Sequence, residues 1–109
     1  VGYSVSKASL SPARRRLLES LQQLYFGRIE NLVIQNGQPI FEPMPRVVRE
    51  HKFGGENGPS PESTAADFLL KAQVVELFEL FDGLRDGILD VLEVKHGLPF
   101  RVFVVEVAP

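Results

Sequence analysis

"GRIENLVIQNGQPIF" at residues 27–41 and "GILDVLEVKHGLPFR" at residues 87–101 read as one hairpin written twice, sixty positions apart. Each is an extended aliphatic segment, a two-residue turn with Gly second, and a Pro two residues further on. In the first copy the turn is Asn36-Gly37, the strongest short-range hairpin signal. Both central residues of such a turn need positive φ, which Asn and Gly tolerate. The second copy has His96-Gly97 at the same place. The offset therefore assigns His96 the job of a turn residue rather than of a general base. Extended segments follow at 28–35 and 38–42, and extended character resumes around Val47 and Val48 after a bend forced by Pro43 and Pro45. Pro39 lacks an N–H, so its strand belongs at an edge or is irregular there.

Working outward, the match continues into the segments that precede each hairpin. Leu17/Leu77, Glu19/Glu79, Leu24/Leu84 and Gly27/Gly87 are identical at the same offset, as are Leu32/Leu92, Gly37/Gly97 and Pro39/Pro99. Leu18/Phe78, Leu21/Phe81, Ile34/Val94 and Ile40/Phe100 are conservative pairs. "SPARRRLLESLQQLYFG" carries helix punctuation: Ser11 as N-cap, Pro12 at the first helical position, and Gly27 as a left-handed stop. Leu17, Leu18, Leu21, Leu24 and Tyr25 form one apolar stripe. The spacing predicts a helix over 12–26. A second helix is expected in "TAADFLLKAQVVELFELFDG", entered through Thr64 and Asp67 as an approximate capping box. Its apolar residues cover more than half its girth, which places it centrally in the core or under a partner.

These elements predict an α+β domain: a duplicated α-β-β unit (α-β-β-α-β-β) with a mostly antiparallel sheet and both helices on one face. The whole chain, 1–109, is expected to be a single domain. Its internal repeat spans 12–42 and 64–107, joined by a flexible loop at 54–63 ("GGENGPSPES"). A short repeat of this kind cannot bury its own apolar face, so two units pack together. "RVFVVEV" at 101–107 is apolar on both faces, which suits a central strand or an edge strand paired with another subunit.

The segment "LLESLQQLYFGRIENLVIQNGQPIF" resembles the small bacterial YezD-like domains, with a helix, a "YG"-type stop, a strand and a Gly-containing turn. The resemblance covers residues 14–41. It departs at the Pro after the turn and lacks the usual basic tail. It implies a fold unit and no catalytic residues.

Composition narrows the function classes. With 44% hydrophobic residues, the 109-residue chain has the material for a core without staples. A net charge of −2 is unlike the basic footprint of a dedicated nucleic-acid binder. The absence of cysteine excludes disulfides, thiolate metal sites and thiol nucleophiles. His51 and His96 lie without ligand spacing, and His51 reads as a surface residue. No metal, cofactor or catalytic residue is assigned. "GENG" at 55–58 lacks the basic centre of a KH-type clamp. Glu76 and Glu79 read as a solvated helix face. No apolar run spans a bilayer. The stretch at 1–16 has no apolar core of a secretory signal, so a cytoplasmic location is expected.

Two features remain. Arg14, Arg15 and Arg16 form the one dense basic run, spread over roughly 200° of helix, and could contact an anion or an acidic partner. The wide apolar arc of the second helix and the two-faced last strand suggest an oligomer interface through Phe68, Val75, Phe78, Phe103 and Val105. The leading expectation is a non-enzymatic protein-interaction or assembly module, homo-oligomeric or an accessory subunit. The alternatives are nucleic-acid binding through Arg14–Arg16, or a small-molecule site between the pseudo-symmetric halves.

Overall fold

A computed structural model describes residues 10–54 and 71–105. The element order is α1 (Pro12–Leu24), β1 (Gly27–Gln35), β2 (Gln38–Ile40), β3 (Arg46–Arg49), α2 (Ala72–Leu84), β4 (Gly87–Lys95) and β5 (Leu98–Val105). The strands form one sheet in the order β2-β1-β4-β5, with β3 also paired to β1. Every pairing is antiparallel. The chain is therefore an α+β fold. β4 takes one edge of β1, so β2 and β3 share the other, as two pieces of one outer column.

α1 begins where the sequence punctuates it. Ser11 is extended and its hydroxyl accepts from the Arg14 amide at 3.2 Å, with Pro12 opening the helix. Leu17, Leu18, Leu21 and Leu24 turn inward into one buried cluster with Ile29, Leu32 and Ile34 of β1. α2 presents Val74, Leu77, Phe78 and Phe81 to the same cluster, which also holds Leu89, Leu92 and Val94 of β4. Both helices thus cover one side of the sheet. Fully burying each such side chain contributes about 1.5–3 kcal/mol, and Phe81, with no exposed surface, is the largest of them. The second helix is shorter than the sequence suggests. It starts at Ala72 behind an extended Lys71 that makes no side-chain cap. Thr64, Asp67 and the loop at 55–63 lie outside the described residues.

Three sequence expectations are corrected. α1 ends at Leu24, two residues early, and Gly27 does not stop it. Tyr25 does, at φ 64° and ψ −55°, with the Phe26 amide donating to the Leu24 carbonyl at 2.7 Å. This is a γ-turn of the rare positive-φ kind. Arg85 repeats it at φ 64° and ψ −64°, with the Asp86 amide 2.7 Å from the Leu84 carbonyl. Gly27 is needed for a different reason: a Cβ there would run into the Val48 carbonyl of β3. Second, β2 stops at Ile40 rather than at residue 42, because the chain leaves the sheet at Phe41 before Pro43 and Pro45. Third, the first half carries an additional strand, β3, so the order is α-β-β-β-α-β-β rather than α-β-β-α-β-β. β5 takes the second of the two places expected for it, the edge of the sheet.

α1, β1 and β2 start at the positions of α2, β4 and β5 less sixty, β3 has no counterpart among the described residues, and the β1–β4 register obeys the same symmetry. Gly27 pairs with Val94 and Ile34 with Gly87, while Ile29 pairs with Leu92 and Leu32 with Leu89. Exchanging the halves maps each of these pairs onto its companion, so a pseudo-twofold passes between β1 and β4. Asn31, at φ 59°, and Asp90 drop out of the register at the centre. The register is the same on both sides of this gap, so one residue of each strand stands outside the ladder, and the buried positions run Ile29, Leu32, Ile34 and Leu89, Leu92, Val94 rather than alternating strictly.

Candidate functional site

Among the described residues no helix covers the other side of the sheet, and register fixes what lies on it, since directly paired residues share a face. Ile40, Val33, Ile88 and Val105 form one row across the four columns. Glu30 stands between Arg46 and Val91 in the next, and Val91 faces Phe103. Val48, Arg28, Glu93 and Arg101 make the third. One end of the open face is thus apolar and the other charged.

The charges alternate. Glu30 accepts from Arg28 Nε at 2.6 Å and lies 3.5 Å from Arg46 Nε. Glu93 accepts from Arg101 Nε at 2.9 Å and is the cross-strand neighbour of Arg28. Arg28, by its hydrogen bond first and its charge second, holds the Glu30 carboxyl below the usual value of 4.5, with Arg46 adding to it and partial desolvation opposing. Three arginines meet two glutamates, so the ladder carries a net charge of only +1 and both of its carboxylates are paired. Beside it, a hollow of about 320 Å³ sits at the end of the β1–β4 seam, walled by Arg28, Arg49 and Lys95 against Glu50 and Glu93.

The β5 rim is the apolar extreme. Phe103 is 49% and Val105 51% exposed, and Phe100 stands out beside them under the Lys95 ammonium, 4.1 Å from its ring centroid. A groove of about 220 Å³ runs behind this rim between β5 and α2, lined by Leu77, Leu80, Leu92 and Val102.

The structure separates the residues singled out from sequence. Phe78 is buried, packed on Phe81 with the Arg14 guanidinium 5.1 Å over its ring, so it is core and not surface. Val75 is half-buried on α2, and Phe68 lies outside the described residues. Only Phe103 and Val105 of that set share a face. The three arginines do not act together either. The Arg14 side chain is 14% exposed and donates to the Gly37 carbonyl at 2.8 Å and to Asp82. Arg16 lies over Phe41, at 4.2 Å. A common basic face is lost because Arg14 is spent inside the fold.

The turns are joints between the halves. Asn36, Gly37, His96 and Gly97 all carry positive φ, at 53°, 75°, 55° and 73°. The Gly37 amide donates to the Arg85 carbonyl at 2.8 Å, and the Gly97 amide to the Tyr25 carbonyl at 2.9 Å. Each hairpin is thus held by the γ-turn of the opposite half. The first joint is polar: Asn36 donates its amide to Asp86 Oδ1 at 3.0 Å and accepts from Arg85 at 2.8 Å. The second is aromatic, with the His96 ring edge-on to Phe26 at 4.9 Å and to Tyr25 at 5.8 Å. His51 instead meets Phe53, at 5.4 Å.

What the sequence reading missed is the open face itself: Val33, Ile88 and Val91 with the Arg28–Glu30–Glu93–Arg101 ladder. The signal was present in the spacing. Once Ile29-x-x-Leu32-x-Ile34 is read as an interrupted inner face, Arg28, Glu30 and Val33 are left as the outer one. Among the described residues no group of three or more His, Asp and Glu is placed to hold a metal ion, and no helix is long and apolar enough to cross a membrane. In comparisons with known proteins, no family model, curated protein or solved structure matches this chain.

Proposed function

We propose that this chain is a non-enzymatic protein-interaction module whose working surface is the uncovered side of the sheet together with the β5 rim. The observation that carries the reading is the apolar row Ile40–Val33–Ile88–Val105, joined by Val91 and the half-exposed Phe103. An antiparallel sheet facing water normally alternates apolar inside with polar outside. Here one end of the outward face is aliphatic and aromatic, and a contiguous apolar patch rimmed by charge is what protein interfaces use. The charged rows supply orientation rather than affinity, since their ion pairs are already satisfied within the sheet.

The test compares the full chain, isolated tagged from its source cells, with a Val33→Lys variant and a Gln23→Lys control on the exposed side of α1. Light scattering of the isolated complexes reads the mass. The reading expects the first and third to carry associated protein, and Val33→Lys to lose it while keeping its circular dichroism. A parent chain recovered as a bare monomer, or equal association by all three, would overturn it.

A further inference from the structure

The two outer edges of the sheet are built from equivalent segments and finished in opposite ways. On the β2–β3 side the edge is guarded. β2 has three residues and β3 four, Pro39 has no N–H to offer, and Pro43 and Pro45 interrupt the column between them. Arg46 and Arg49 occupy its far end. Short strands, prolines and cations are the usual devices that keep an edge from pairing further. On the β5 side the strand is longer, has no proline from Phe100 to Val105, and carries Arg101 as its one cation. Among the described residues its outer edge is paired with nothing.

We infer that β5 pairs antiparallel with β5 of a second copy of this chain, about a twofold axis at Phe103, so that one sheet continues across two chains. This rests on the reading of the chain as an interaction module and names its partner. The sequence of the edge is self-complementary about that residue. Phe103 stands opposite its own copy on the open face, Val102 opposite Val104 on the helix side, and Arg101 opposite Val105. No like charges meet across the join, whereas an axis at Arg101 would set two guanidiniums face to face. The half-exposed Phe103 and Val105 then gain cross-strand partners, and the Val91–Phe103 rows of the two copies become continuous. One guarded edge per chain makes the assembly stop at two. A sheet open on both sides would grow into a filament.

The absence of cysteine gives a clean test. Directly opposite residues of an antiparallel pair have Cα atoms about 4.5–5.5 Å apart, which a disulfide can bridge. Mild oxidation of the full-length Phe103→Cys chain is expected to give a covalent dimer of twice 12.2 kDa. Val47→Cys, exposed on the guarded edge, stays monomeric under the same conditions. Should Phe103→Cys disturb the fold, Arg101→Cys mixed with Val105→Cys is the second probe, expected to cross-link with each other and not with themselves. Phe103→Lys raises the midpoint of dimer dissociation at least about tenfold. Cross-linking at residue 103 no faster than at residue 47, together with no mixed product from the second probe, overturns the β5 pairing. If Val33→Lys still strips associated protein in that case, the interaction reading survives and this partner does not.

Discussion

The Gly37 amide meets the Arg85 carbonyl at 2.8 Å, across forty-eight residues of chain, and the Gly97 amide meets the Tyr25 carbonyl in the same way. Those two carbonyls are available because Tyr25 and Arg85 adopt γ-turns that end the helices abruptly. A non-glycine residue in such a conformation costs on the order of 1–3 kcal/mol. The strain is offset by docking each hairpin onto the opposite half, and this mutual grip, with the β1–β4 register, makes one sheet of two units.

Equivalent glycines in the two halves will not respond equally to a methyl group. Gly27→Ala drives a Cβ into the Val48 carbonyl from a positive φ, whereas Gly87→Ala meets only the movable tip of Leu84, at 3.1 Å. Urea unfolding should show a loss of about 3 kcal/mol or more for the first and roughly 1 kcal/mol or less for the second. Similar losses would mean that β3 does not press on Gly27.

Arg14 is a strut of the fold. Its guanidinium joins the Gly37 carbonyl and Asp82 over the Phe78 ring. Arg14→Ala is expected to cost about 2 kcal/mol, little changed by salt. Asp82→Ala, removing a mostly exposed carboxylate, costs about 1 kcal/mol or less. Thermal melts at low and high ionic strength decide the matter. An Arg14→Ala chain as stable as the parent would return the residue to the surface.

Gln22 occupies in the first half the place of Asp82 in the second, and Val74 that of Arg14. No donor therefore stands where Arg14 serves Asp82, and Gln22 Oε1 is buried without a hydrogen-bond partner among the described residues. An unsatisfied buried acceptor costs about 1–3 kcal/mol. Gln22→Met, close in volume, should raise stability by about 1 kcal/mol, or roughly 5 °C in Tm. A lower Tm would show that the amide has a partner after all.

Glu30 ties the charged rows to pH. Its folded value lies below the usual 4.5, so its contribution is present above that value and is lost as the pH falls through the folded one. An NMR titration of the Glu30 carboxyl should have its midpoint below 4.5 in the parent and shifted upward in Arg28→Gln, whose side chain keeps a donor without the charge. Identical midpoints would remove Arg28 as the cause.

Much of the architecture was legible because it is local. Asn36-Gly37 and His96-Gly97 announce their turns, Ser11-Pro12 announces α1, and Pro43 and Pro45 announce the break between β2 and β3. The features that escaped depend on partners far along the chain. Nothing in Tyr25 or Arg85 advertises a γ-turn, since the hairpin that exploits it lies in the other half. Gly27 looks like a helix stop until β3 is laid against it. Arg14 looks like surface charge until Asp82 arrives from sixty-eight residues away. The candidate surface was half visible: Phe103 and Val105 stand out in "RVFVVEV", but Val33, Ile88 and Val91 join them only through the β1–β4–β5 register.

Amide hydrogen exchange of β5, followed as protein concentration is raised, tests the interaction account most directly. If the open face and the β5 rim are where this chain meets protein, amides of Arg101–Val105 gain protection with concentration, while those of β2 and β3 on the guarded edge do not change. Protection in β5 that stays low and independent of concentration, with or without the native partners of the chain, would contradict the account.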